Sequence, residues 1–423
     1  MFRFILITLI LLLLSPLEAK RFNYWQVHNM PKSVEKDYYI WRFLSQTTTT
    51  STEAKNIIQE ANHLNKKLRV AYKKRTGTKA PKIKQSRDVT PDHIWKPRSI
   101  AKKHFNHGLA LLRQKKAKQA EKHFKIAKDN YAKKHQKDKA LFWLYLSTKN
   151  TKYLTKLRKS YHPNIYTLMA ADTVKGSYPK TITQQIRRKK VSGFDIKNPI
   201  DWAKVKEKIK RSSNNTIDHL ASKYASQESI GIYTYLKAKA SEYKKSYFPM
   251  PYRDVMKKMK PQRQALIYAI ARQESRFVPA SVSPSFALGM MQFMPFLIKD
   301  IAKRKRQKMD LNDIFNPYKA IEYADYHLNY LNKYLYHPLF VAYAYNAGIG
   351  FTKRHITNRK HFRKGPYEPY MSMETMKNVE AREYGKKVLA NYVIYLNKLG
   401  VTTRIFPLLK SLATPRKTDR FRK

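Results

Sequence analysis

A chain of 423 residues is too long for one compact core, so two or three domains are expected. Its 42% hydrophobic content excludes a disordered polymer, and 11 glycines, scarce strand-like alternation and long Lys-, Leu-, Ala- and Glu-rich stretches favour helix. The lack of cysteine excludes disulfides, thiolate catalysis and cysteine-ligated zinc, while 87 Lys and Arg against 29 Asp and Glu give a net charge of +58 that attracts polyanions.

Met1-Phe2-Arg3 supplies a positive start, Phe4 to Leu14 is a run of 11 mostly apolar residues, and Ser15 to Ala19 offers a break and a small residue. This reads as a secretory signal peptide over residues 1–19, cleaved after Ala19, with an uncleaved inner-membrane anchor as the alternative. An exported chain of this charge meets anionic envelope polymers and lipid head groups. Nucleic acid would be the other polyanion, but the cations are spread along the whole chain instead of gathered in one reading helix, so no nucleic-acid partner is expected.

From Lys20 to about Ser246 the pattern is one of successive amphipathic helices. Gln46 to Thr52 is a polar break, and Lys73 to Arg98, basic with Pro81, Pro91 and Pro97, reads as a loop. Phe105, Gly108, Leu109 and Leu112 form one helical face, and Ala117, Ala120, Phe124 and Ala127 form the next. Two such helices resemble a tetratricopeptide-type hairpin, so residues 20–246 are expected to form an irregular α-solenoid, an architecture that usually binds partners. His104, His123 and His162 fall at no metal-binding spacing and read as structural. Neither a metal nor a cofactor is expected.

Tyr247-Phe248-Pro249-Met250-Pro251-Tyr252 is a stiff connector that marks a domain boundary. Pro261 then opens a helix whose apolar face holds Leu266, Ile267, Ile270, Ala271 and also Glu274. A carboxyl on that face is costly to ionise, which keeps its proton near neutral pH and suits a general acid. Gly289 to Met294 is apolar except for Gln292, whose amide needs a partner, either a sugar N-acetyl group or nearby backbone. The methionines there read as core filling. Asn316-Pro317 and His337-Pro338 start two further helices, and Asn346-Ala347-Gly348 ends the second, with Gly348 suited to a left-handed C-terminal position. Glu380 opens a last long helix, and Thr414 to Lys423 is a basic tail expected to be mobile.

Three motifs occur in register: Glu274-Ser275-Arg276-Phe277, Gly289-Met290-Met291-Gln292-Phe293-Met294-Pro295 and Ala344-Tyr345-Asn346-Ala347-Gly348. They resemble the E-S-x-F, G-L-M-Q-x-M-P and A-Y-N-A-G motifs of the soluble lytic transglycosylase family. Glu380-Ala381-Arg382-Glu383-Tyr384 resembles that family's E-T-R-x-Y segment, with Ala381 in place of threonine. The connector at Tyr247, and a shorter piece from Ser160 to Thr167, are also similar to it. The resemblance implies an all-α protein. An N-terminal α-solenoid or superhelix would be followed over 247–400 by a lysozyme-like catalytic domain, α+β in type but mostly helical, with 401–423 as the tail.

The resemblance also implies a periplasmic enzyme that cuts the MurNAc-β-1,4-GlcNAc bond of peptidoglycan without water, leaving 1,6-anhydro ends. Glu274 would act first as acid and then as base. Ser275 would orient the neighbouring loop, Gln292, Tyr345 and Asn346 would hold the sugar acetamides and the glutamate, and Glu380 would line the cleft. Phe286 and Leu288 depart from the family pattern and would narrow the cleft or alter subsite preference. Peptidoglycan strands are the expected partner, with cell-wall synthesis or turnover proteins reached through the helical part. A hydrolytic muramidase and a non-catalytic wall-binding scaffold are the competing readings.

Overall fold

The computed structural model describes residues 20–83 and 100–422. The expected signal peptide, Pro91 and Pro97 lie outside the described residues.

The helices begin with α1 (Tyr24–His28), α2 (Val34–Leu44), α3 (Ser51–Ile57) and α4 (Lys66–Thr76). Each starts where an Asn, Ser or Thr side chain takes up a free backbone N–H: Asn23, Ser33, Thr50 and Asn65. The stretch expected as a loop from Lys73 is still helical through Thr76, and Gly77 ends it at φ 74°. Next come α5 (Ile100–Arg113), α6 (Ala117–Asn130), α7 (Lys134–Thr148), α8 (Lys152–Arg158) and α9 (Ile165–Thr173). The α5–α6 hairpin buries the expected faces, with Phe105 and Phe124 rings 5.5 Å apart and Trp143 of α7 against both. Helices α10 (Pro199–Lys210), α11 (Asn214–Lys223) and α12 (Ile230–Ala240) enclose a smaller second core around Trp202, Ile217 and Leu236.

The part after residue 247 runs through α13 (Arg253–Met256), α14 (Pro261–Glu274), α15 (Pro295–Arg304), α16 (Pro317–Asn332), α17 (Pro338–Ala347), α18 (Ile349–Ile356), α19 (Tyr370–Glu374) and α20 (Val379–Lys398). Pro261, Pro295, Pro317 and Pro338 each sit in a first turn, where a missing N–H costs nothing. The β character of a lysozyme-like domain is reduced here to the bridges Val282–Leu288 and Leu288–Phe293; among the described residues only isolated bridges occur.

The boundary at residue 247 is a feature of the sequence more than of the packing. One buried cluster runs from Phe22 to Leu412. Tyr38 of α2 packs edge-on against Phe286 and Phe315, both at 6.0 Å, and Trp41 lies 5.6 Å from Phe286. Arg42 forms an ion pair with Asp310 at 2.6 Å. Phe286 and Leu288 are therefore fully buried core residues and do not narrow the cleft. Phe286 is the apolar knob on which α2 rests. The second core is also shared, since Val278 and Ala280, just after α14, belong to it. A Cβ on Gly231 of α12 would lie 2.2 Å from the Phe277 carbonyl oxygen, so only glycine permits that approach.

The C-terminal segment is packed, contrary to the expectation of a mobile tail. It holds α21 (Ile405–Ser411) and α22 (Pro415–Thr418). Asp419 bridges to Leu335, Phe421 stacks on Tyr334 at 5.7 Å, and buried Arg422 donates to Asp419 and to the Phe362 carbonyl. A buried, doubly engaged guanidinium is a strong anchor, because removing it leaves Asp419 uncompensated. Deleting residues 415–423 is expected to lower the thermal unfolding midpoint by at least a few degrees, read by circular dichroism on the purified chain. An unchanged midpoint would show that these contacts contribute nothing.

Candidate active site

Helix α14 buries Leu266, Ile267, Ile270 and Ala271 and carries Glu274 as its last residue, half-buried at the helix C-terminus. The negative end of the helix dipole and the loss of water both oppose a carboxylate there. Burial raises the Glu274 pKa to about 8, with the charge of Glu380 adding to the effect and a hydrogen bond from Tyr384 opposing it. The Tyr384 hydroxyl donates to Glu274 Oε1 at 2.7 Å.

The chain turns sharply after Glu274. Arg276 and Phe277 have φ of 55° and 67°, left-handed values that non-glycine residues adopt only when their surroundings hold them. Phe277 is held by burial against Tyr268 and Tyr395. Ser275 Oγ donates to the Met290 carbonyl at 2.7 Å and so ties the helix end to the following turn. It does not line the cleft. In that turn Gly289 has φ 77°, and a Cβ there would meet the Ile314 carbonyl oxygen at 2.6 Å. Gln292, at φ 51°, donates its amide hydrogens to the Gly289 and Ser281 carbonyls at 2.9 and 3.2 Å. The backbone, of the two partners expected, thus holds the amide, and its carbonyl oxygen remains as an acceptor for an incoming N–H group. Met290 and Met291 are core, as their sequence suggests, whereas Met294 lines the cleft.

Helix α17 brings Tyr345 and Asn346 to the same place. The Tyr345 hydroxyl donates to the Met291 carbonyl at 3.0 Å, not to the glutamate, although the Glu274 charge adds to burial in pushing it well above its usual pKa. Asn346 Nδ2 donates to Glu380 Oε1 at 3.2 Å. Gly348 ends the helix at φ 85° and ψ 152°, a positive-φ conformation but not the left-handed helical one expected.

These side chains face a cleft of about 820 Å³. One wall carries Glu274, Gln292, Tyr345, Asn346, Glu380 and Tyr384. The opposite wall comes from α5 to α9 and includes Lys102, Asn106, Tyr131, His135, Lys139 and Tyr166. The helical part therefore completes the site. Among the described residues no group of three His, Asp or Glu side chains could hold a metal ion. Tyr384 was the residue missed from sequence; it lies four residues after Glu380 on α20, one helical turn along the same face.

A family model described as the transglycosylase SLT domain matches residues 252–367, which includes Glu274, Gln292, Tyr345 and Asn346. Over that segment the chain is similar to this family. It is 27% identical over 214 residues to the soluble lytic murein transglycosylase of Salmonella typhimurium, a match covering 47% of this chain and 31% of the relative. It is 30% identical over 159 residues to the Escherichia coli protein of the same description, covering 36% and 24%. The chain thus matches about a third or less of the length of these curated relatives. Two solved structures share the fold over 90% of this chain. An inactive mutant of lytic transglycosylase Slt from Pseudomonas aeruginosa, at 17% identity and 67% of its own length, gives a TM-score of 0.51. The 70 kDa soluble lytic transglycosylase of Escherichia coli, at 18% identity and 68% of its length, gives 0.50.

Holding a proton on Glu274 has a thermodynamic cost that varies with pH. Below the ordinary carboxyl value of 4.5 both folded and unfolded chains carry the proton, and nothing is lost. As pH rises toward 8 the unfolded chain gains by ionising while the folded chain does not, so stability falls. Glu274→Gln is expected to stabilise the fold by roughly 1–3 kcal/mol at pH 7 and by much less at pH 5, measured by urea unfolding at both values. A destabilised variant would contradict the burial argument.

Proposed function

We propose that this protein is a peptidoglycan lytic transglycosylase that cleaves the MurNAc-β-1,4-GlcNAc bond and leaves a 1,6-anhydro ring on the muramyl end. The observation that carries the reading is Glu274, a carboxyl that keeps its proton at neutral pH at the edge of a cleft large enough for several sugar rings.

Cleavage begins when Glu274 protonates the bridging oxygen as positive charge builds on the muramyl ring. The resulting carboxylate accepts a proton from the muramyl 6-hydroxyl, which attacks its own anomeric carbon. No water enters. The attack is intramolecular, so its effective concentration is high. The Tyr384 hydroxyl supports Glu274 in its carboxylate stage, since a donor at 2.7 Å favours the charged form. Gln292 Oε1 and Asn346 offer an acceptor and an amide to sugar N-acetyl groups, and Ser275 keeps the Gln292 turn against the helix. A hydrolytic muramidase would call for a second carboxylate to activate water or attack the sugar. Glu380 is the nearest candidate, and its Oε1 is taken up by the Asn346 amide. The apolar run from Phe4 to Leu14 and the net charge of +58 support a periplasmic location in contact with the anionic wall as part of this proposal.

Digestion of purified sacculi followed by mass analysis tests the reaction: anhydro products one water lighter than reducing ends are expected, and reducing ends alone would establish the hydrolase. Glu274→Gln is expected to lower sacculus solubilisation at least about a hundredfold while the chain stays folded. The active form carries the proton, so kcat/KM should fall as pH rises through about 8. Tyr384→Phe removes the bond that lowers the Glu274 pKa, so its alkaline limb should move to higher pH, read from the pH–rate profile. An unmoved limb would detach Tyr384 from the acid.

A further inference from the structure

The floor of the cleft holds a buried cluster of ionised and polar groups that the reaction above does not use. Glu374 ends α19, and Lys386 lies two residues beyond Tyr384 on α20. Lys386 Nζ donates to both Glu374 oxygens at 3.1 and 3.0 Å, to Glu383 Oε1 at 3.1 Å and to the Tyr166 hydroxyl at 3.0 Å. Tyr166, on α9 of the helical wall, donates its hydroxyl to Glu374 Oε1. Arg382 donates to Glu383 Oε1 at 2.9 Å and to the Glu374 carbonyl at 3.2 Å, and Lys139 of α7 stands 4.0 Å from Glu374. Burial acts to raise the Glu374 carboxyl, yet Lys386 and Lys139 hold it below its ordinary value, so the cluster is charged.

Burying such a cluster is expensive, and apolar side chains of the same volume would hold the two parts together as well or better. What it supplies beyond cohesion is direction. Its hydrogen bonds fix both the rotation and the axial position of α20 at Glu383 and Lys386, the residues on either side of the turn that presents Tyr384 to Glu274. Tyr166 reaches this α20 cluster from the other wall as a neutral hydrogen-bonding group.

The geometry points to Tyr166 as a positioning residue for the acid: through Glu374 and Lys386 it sets α20, and thereby the Tyr384–Glu274 bond, so that the helical wall takes part in catalysis without touching the reacting atoms. This rests on the lytic reading of Glu274. The groups facing Glu274 are Tyr384 and Glu380 from α20 and Tyr345 from α17, and Tyr166→Phe replaces none of them.

The test compares full-length wild type, Tyr166→Phe, Tyr384→Phe and the double variant, each checked for folding by thermal unfolding, with anhydro-muropeptide release from sacculi followed from pH 5 to pH 10. Tyr166→Phe is expected to lower kcat by about tenfold with KM changed less than about twofold, and to move the alkaline limb upward, in the direction of Tyr384→Phe. The double variant should be no worse than Tyr384→Phe alone. A folded Tyr166→Phe with the wild-type pH profile, or a loss that adds in full to that of Tyr384→Phe, overturns the inference. Should Tyr166→Phe not fold, Glu374→Gln, which keeps an acceptor for the Tyr166 hydroxyl, is read by the same two criteria. A wild-type chain that releases no anhydro products sinks the lytic reading itself, a result distinct from failure of the positioning role.

Discussion

The interaction around which the cleft is arranged is the hydrogen bond from Tyr384 to Glu274 at the end of one helix. Glu274 closes α14 where the helix dipole is negative, water is scarce and Glu380 is near, and each of these disfavours a carboxylate. The Tyr384 hydroxyl is the counterweight. An acid whose charged form were wholly unsupported would give up its proton too reluctantly to return as a base. In the proposed acid-then-base cycle, one donor at hydrogen-bond distance leaves the group poised between the two roles.

Much of the surrounding architecture maintains that poise. The left-handed pair Arg276 and Phe277 turns the chain back beneath the acid, and Ser275 pins the next loop to the helix end. Gly289 lets that loop pass against the Ile314 carbonyl, which brings Gln292 into the cleft. Helices α5 to α9 contribute the facing wall, so the cleft exists only where the two parts of the chain meet.

The main elements after residue 247 were legible in the sequence because local signals agree with the fold. Proline in four first turns, helical spacing from Leu266 to Glu274 and the Asn346-Ala347-Gly348 helix end can all be read without knowing tertiary contacts. The α5–α6 hairpin was legible for the same reason. What could not be read depends on distant pairs. Tyr384 looks like one more aromatic on a long helix until α20 is laid beside α14. Phe286 looks like an intrusion into the cleft until α2 is found resting on it. The basic C-terminal segment reads as solvated until Arg422 is seen buried with Asp419 and the Phe362 carbonyl. Lys and Arg so outnumber acids in this chain that charge alone carries little positional information.

The way α2 sits on Phe286 and Phe315 bears on how the chain could be dissected. A fragment excised at Tyr247 would uncover those rings, leave Asp310 without Arg42 and strip Val278 and Ala280 of the helices that cover them. The part after Tyr247 is therefore not a portable module: transplanting it would mean redesigning a greasy flank, and each part of the chain leans on the other.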